Sequence, residues 1–87
     1  MICRKITYRG NFDDQTAVKI FDIARKNEIT GEVIYRSPQE IHLNLEGDAS
    51  FIKLIQHQIE KSLKDKISHK EVDQLPYQQY SGITFIR

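Results

Sequence analysis

Ile29-Thr-Gly-Glu-Val-Ile-Tyr-Arg-Ser-Pro-Gln-Glu-Ile-His-Leu-Asn-Leu-Glu-Gly-Asp48 is the stretch that decides the fold. Ile41, Leu43 and Leu45 alternate with His42, Asn44 and Glu46. That period of two marks a strand with one apolar and one polar face. Val33-Ile34-Tyr35 upstream is a short β-branched and aromatic run, the mark of a second strand. Ser37-Pro38-Gln39 between them carries turn chemistry, because proline presets φ and serine bonds nearby backbone. The pair reads as a hairpin, closed by Gly47 and by Asp48, a residue able to cap a following helix.

Working outward, Ile2 to Tyr8 reads as the first strand, with Ile6 and Tyr8 facing inward and Cys3, Lys5 and Thr7 outward. Arg9 to Asp13 is loop, since glycine and asparagine tolerate unusual backbone angles. From Asp13 or Asp14 to about Asn27, Ala17, Ile20, Phe21 and Ala24 recur at i, i+3, i+4 and i+7, which predicts a helix with one apolar stripe. Ile52, Ile55, Ile59 and Leu63 predict a second helix from Ala49 to Lys64. Residues 65–68 read as linker, Glu71 to Leu75 as a weak strand, Tyr77 to Gly82 as polar loop, and Ile83 to Ile86 as a closing strand. The order βαββαβ with an extra closing strand predicts an α+β, ferredoxin-like split βαβ fold. Two helices with one stripe each cover one face of an antiparallel-rich sheet.

Eighty-seven residues predict a single domain spanning 1–87. The 39% hydrophobic and 29% charged content fits a globular chain rather than a disordered one. A formal net charge of +1 gives no long-range pull on nucleic acid or anionic membrane. No run approaches ~18 consecutive apolar residues, so no membrane span is expected. One cysteine, Cys3, excludes an internal disulfide and points to a reducing, cytoplasmic setting.

Several segments together resemble the acylphosphatase family. They are Ile29-Thr30-Gly31-Glu32-Val33, Leu45-Glu46-Gly47, and Tyr80-Ser81-Gly82-Ile83-Thr84-Phe85-Ile86-Arg87. In that family the corresponding segments are a Thr-Gly-Trp-Val-type second strand, a third strand ending in Glu-Gly, and a closing Phe-Ser-Gly-Phe-Glu-Ile-Arg-type segment. The resemblance implies hydrolysis of carboxyl-phosphate anhydrides with no metal or cofactor. It also implies a first loop whose backbone N–H groups and one arginine hold the phosphate, and an asparagine on the second strand that positions water. Counting from Gly31 without gaps places Ala17 at the arginine position and Tyr35 at the asparagine position.

The loop here is Arg9-Gly10-Asn11-Phe12-Asp13-Asp14-Gln15, and two carboxylates flank the place for an anion. At an effective dielectric of about 20, each opposes a phosphate at ~4 Å by roughly 4 kcal/mol before screening. The helix dipole returns only ~0.3–1 kcal/mol. The chain therefore reads as an acylphosphatase-like domain without the catalytic pair, a binding protein for an unknown protein or small anionic ligand. Arg9, Gly10, Asn11 and Gln15 form its candidate ligand loop. The alternative is an active acylphosphatase with a rearranged loop and Arg9 on the phosphate.

Other chemistries are weaker. A looser resemblance to blue-light-sensing flavin domains rests on Tyr8 and Asn27, with Leu43 where those domains carry glutamine. RNA binding on the open sheet face needs exposed aromatics, and the expected outward set of Lys5, Thr7, His42, Asn44 and Thr84 has none. His42, His57 and His69 share no ligand spacing, so no metal site is expected. Asp13 and Asp14 read as helix caps, and Cys3 as structural. Lys61, Lys64, Lys66, His69 and Lys70 read as a solvated basic face, with anion or partner contact as the sharper possibility.

Overall fold

A computed structural model describes residues 1–87. Its elements are β1 (Ile2–Gly10), α1 (Asp14–Lys26), β2 (Thr30–Ser37), β3 (Glu40–Gly47), α2 (Ala49–Ser62), β4 (Ile67–Leu75) and β5 (Ile83–Ile86). The strands form one sheet in the order β4-β1-β3-β2-β5. All neighbours are antiparallel except β2 and β5, which run parallel.

One strand parity supplies the core. Ile6, Tyr8, Val33, Ile41, Leu43 and Leu45 are fully buried against Ala17, Ile20 and Ala24 of α1 and Ile52, Ile55 and Ile59 of α2. Both helices therefore cover the same face, as the two apolar stripes predict. At about 25 cal/mol per Å² of apolar area, each buried Ile, Leu or Val among them contributes roughly 1.5–3 kcal/mol, and the alanines less. The Asp13 carboxylate caps α1, accepting from the Thr16 backbone N–H at 2.8 Å and from its hydroxyl at 2.8 Å. Asp48 caps α2 by accepting from the Ser50 N–H at 3.0 Å. In the β2–β3 turn the Ser37 hydroxyl accepts from the Gln39 N–H at 3.2 Å.

The structure departs from expectation after α2. That helix ends at Ser62 rather than Lys64, and β4 begins at Ile67 rather than Glu71. Residues 67–68 thus belong to a nine-residue strand rather than a linker. The reason is that β4 is an edge strand with seven of its nine residues exposed, so neither face carries an apolar alternation to read. Its place is set by pairing with β1, from Cys3 opposite Leu75 to Tyr8 opposite Lys70, with a bulge at Arg9/Gly10.

Gly31 is required by close approach. Its φ is +140°, and a Cβ there would lie 1.8 Å from the Asn44 carbonyl oxygen of β3. We predict that Gly31→Ala lowers stability by more than about 1 kcal/mol, read as a lower urea midpoint, because strain and steric conflict add.

Candidate functional site

The β1–α1 turn is the first place to look for an anion site, since a helix N-terminus and a glycine-bearing loop meet there. Its amides point elsewhere. Gly10 N–H donates to the Gln39 carbonyl at 3.0 Å, Asn11 N–H to the Lys66 carbonyl at 3.0 Å, and Phe12 N–H to the Pro38 carbonyl at 2.6 Å. Gly10 is pressed so close to residue 66 that a Cβ would lie 1.9 Å from the Lys66 oxygen. Phe12 is buried in the core. At the helix end the Asp13 carboxylate already occupies the N–H of Thr16. These bonds hold its carboxyl below the usual range, the Thr16 N–H contributing most and the Thr16 hydroxyl next. A small cavity of about 180 Å³ remains beside this turn, lined by Asp13, Gln15, Thr16, Lys19, Ser62, Leu63 and Lys66.

Arg9 is committed on the open face of the sheet. Its Nε donates to Glu40 at 3.1 Å and its Nη1 to Glu71 at 3.0 Å. His42 Nε2 lies 2.8 Å from Glu40, and His69 Nε2 lies 3.2 Å from Glu71. Two histidines without common sequence spacing are thereby joined by two carboxylates and one guanidinium. Glu40 is held below the ordinary carboxylate range chiefly by the His42 contact, and Glu71 chiefly by Arg9. No group of three or more His, Cys, Asp and Glu side chains is arranged to hold a metal ion.

Ala17 is completely buried in the core, and Tyr35 is half-buried on the helix side of β2, packed against the same core. Tyr8 is also buried, its hydroxyl donating to Glu60 at 2.9 Å. Leu43 is a core residue, and the Asn27 side chain caps α1 by donating to the Ile23 carbonyl at 2.7 Å. Of the basic cluster, Lys70 pairs with Glu60 at 3.0 Å. Lys64, His69 and Lys70 line a surface cavity of about 310 Å³ with Glu60, Ile67 and Ser68.

A second polar centre joins two of the segments that carry the family resemblance, Leu45-Glu46-Gly47 and Tyr80 to Arg87, although no periodicity pairs them. Residues 76–82 run from β4 at one edge to β5 at the other and strap one end of the open face. The Glu46 carboxylate, buried on β3, accepts from three consecutive backbone amides of this strap, at Gln78, Gln79 and Tyr80. Gln79 adopts φ +58°, which turns the amides toward one point. The Tyr80 hydroxyl donates to Glu32 at 3.0 Å, and Asn44 Nδ2 donates to the same oxygen at 3.1 Å. Asn44 Oδ1 is buried without a partner. Cys3, expected to face outward, sits opposite Glu46 on β1 and is completely buried. Thr7, also expected outward, is buried opposite His42 and Glu71. A strap some thirty residues from Glu46 in sequence leaves no periodicity by which to find it.

Comparison with solved structures shows the acylphosphatase-like, ferredoxin-like fold. The chain is similar to the acylphosphatase from Bacillus subtilis (TM-score 0.85, 13% identity, covering 100% of both chains). It is similar to an acylphosphatase from Coxiella burnetii (TM-score 0.80, 16% identity, 97% of this chain and 90% of that one). It also resembles part of a bacterial light-regulated adenylyl cyclase (TM-score 0.72, 15% identity, 99% of this chain and 27% of that one). At such identities the likeness is one of fold. No family model matches the chain, and no curated protein matches it in sequence.

Three outcomes follow from the strap. Glu46→Ala leaves three amides without their acceptor, so stability falls by about 1–3 kcal/mol or more. The Cys3 thiol, whose pKa is raised by burial and then by Glu46 and Glu32, reacts with a disulfide reagent only slowly in the native protein and faster in that variant. Tyr80 is pushed up to about 12, by burial first and by Glu32 second, from an ordinary 10. A raised folded value favours the neutral phenol, so this contribution is complete below pH 10 and is lost as pH rises through about 12. Alkaline urea titrations of Tyr80→Phe will show a shallower decline across that window than the parent.

Proposed function

We propose that this chain is an acylphosphatase-like domain that does not hydrolyse acyl phosphates and works instead by contact with a protein partner. The single observation that carries the reading is the direction of the amides in the β1–α1 turn. Gly10, Asn11 and Phe12 spend their N–H groups on carbonyls of two neighbouring turns. Hydrolysis of an acyl phosphate needs donors aimed at the phosphoryl oxygens and a group that positions water. Of the residues that the family resemblance aligns with those roles, Ala17 is built into the hydrophobic core and Tyr35 packs half-buried against it. The acidic cap Asp13 adds repulsion where the phosphate would sit.

The rival reading, a rearranged phosphate loop with Arg9 on the anion, meets an obstacle of position more than of energy, since these exposed pairs are individually weak. Arg9 would have to leave both Glu40 and Glu71. A lone cysteine suits a reducing compartment, and we place the protein in the cytoplasm.

Purified protein incubated with benzoyl phosphate, without metal, will turn over no faster than buffer, and Arg9→Ala will change nothing. Metal-independent turnover that Arg9→Ala abolishes would overturn the proposal in favour of the rearranged loop.

A further inference from the structure

The two edges of the sheet differ. Edge strand β4 carries His69, Lys70, Glu71 and Asp73, all exposed, and such charges discourage pairing with another chain. Edge strand β5 reads Ile83-Thr84-Phe85-Ile86 and has no charged residue. Beside it lies a groove of about 570 Å³ between α1 and β5. Its floor is apolar: Val18 is 48% exposed, and Phe21 meets Phe85 edge to face at 5.8 Å. Its rim is charged, with Asp14 paired to Arg87 at 2.8 Å and Asp22 to Arg25 at 3.2 Å. Both pairs are exposed and hold their partners weakly.

We propose that this edge is a self-association surface, on which β5 pairs antiparallel with β5 of a second copy and the two α1 helices pack beside each other. The proposal rests on the contact-based reading above and names the partner as a second copy of this chain. Three features of the groove favour that occupant. First, Asp14, Val18, Phe21, Asp22 and Arg25 lie on one stripe of α1, acidic at its start and basic at its end. A two-fold axis through the sheet sets the helices antiparallel, and the register that places Val18 on the second copy's Phe21 also places Asp14 on the second copy's Arg25. An isologous interface requires this kind of self-complementarity. Second, α1 packs over β2 and β5, so its axis stands about one strand spacing from the two-fold. With strands ~4.8 Å apart the two helices come to roughly 10 Å, the upper end of the 8–10 Å packing range. Third, a free backbone edge with an apolar rim on the helix side is satisfied by the same edge in a second copy. An extended peptide would complete the strand but would leave the charged stripe on α1 unanswered.

Sedimentation equilibrium of the whole chain from micromolar to millimolar concentration tests this. We expect a reversible monomer–dimer equilibrium in the micromolar range. Val18→Glu, at an exposed position, weakens it at least about tenfold, since it places a charge at the centre of the contact. Asp14→Arg and Arg25→Asp each weaken it, and the double variant D14R/R25D recovers dimer. Circular dichroism and urea midpoints close to the parent's verify that the variants fold. A monomer at every concentration overturns the proposal, whether or not it binds an added apolar peptide. So does a dimer indifferent to Val18→Glu, or charge reversals that do not compensate one another. Benzoyl phosphate assayed on the same samples separates the two readings: turnover by a dimer strikes only the non-catalytic assignment, and an inert monomer strikes only the interface.

Discussion

Buried backbone amides must be satisfied, and at one end of this sheet that requirement ties three connections into a single knot. The β1–α1 turn donates to the β2–β3 turn through Gly10 and Phe12, and to the segment after α2 through Asn11. The knot fixes where α1 begins, where β4 begins and how tightly the central hairpin turns. It also engages the N–H groups of Gly10, Asn11 and Phe12, which an anion held in this turn would draw on. Stability and chemistry compete here for the same N–H groups. At the opposite end Glu46 performs a matching task with a carboxylate, gathering three strap amides over Cys3. Each end of the open face is thus closed by one hydrogen-bonding centre. The strip between them carries the Arg9–Glu40–Glu71 network.

The architecture was legible wherever a residue faces the core. Ile41, Leu43 and Leu45 gave the central strand, and the α1 and α2 stripes gave both helices, because burial on one face imposes a period that survives in sequence. β4 was half lost because an exposed edge obeys no such period, and pairing with β1 rather than local pattern fixes its start. The polar centres were lost for a different reason. Glu46 looks like any solvent-facing residue of its strand until a strap thirty residues later arrives over it. His42 and His69 look unrelated until Arg9 stands between their glutamates. Long-range polar contacts leave no sequence rhythm.

The same distinction explains how a chain with 13% identity can superpose on an acylphosphatase over its full length. The fold asks only that alternating positions be apolar and of suitable size, a demand many sequences meet. Phosphoryl chemistry asks for specified groups at specified points. Ala17, in the core, and Tyr35, half-buried against it, satisfy the first demand, and neither side chain is of the type that the family resemblance implies for the second. Losing the function would leave the core intact, and it would relax the pressure that keeps the turn's amides free.

Asp13 stands at the N-terminus of α1, where an anion would bind. Its carboxylate is joined to the helix it caps, so it competes for the helix N-terminus as an intramolecular ligand. Short tethers give effective concentrations in the millimolar range, and a well-oriented group does better still. A free phosphate must displace this resident anion, or approach beside it and accept the repulsion between like charges. The first route exposes the Thr16 N–H and hydroxyl that Asp13 now satisfies. The second puts two negative charges at one end of a helix whose dipole returns at most about 1 kcal/mol at an exposed site. Neither route gains from Arg9, which its two glutamates hold on the sheet face. On the proposed non-catalytic reading, the Asp13 carboxylate answers the positive end of α1, and a role for this fold is to be sought along its sheet edges and faces.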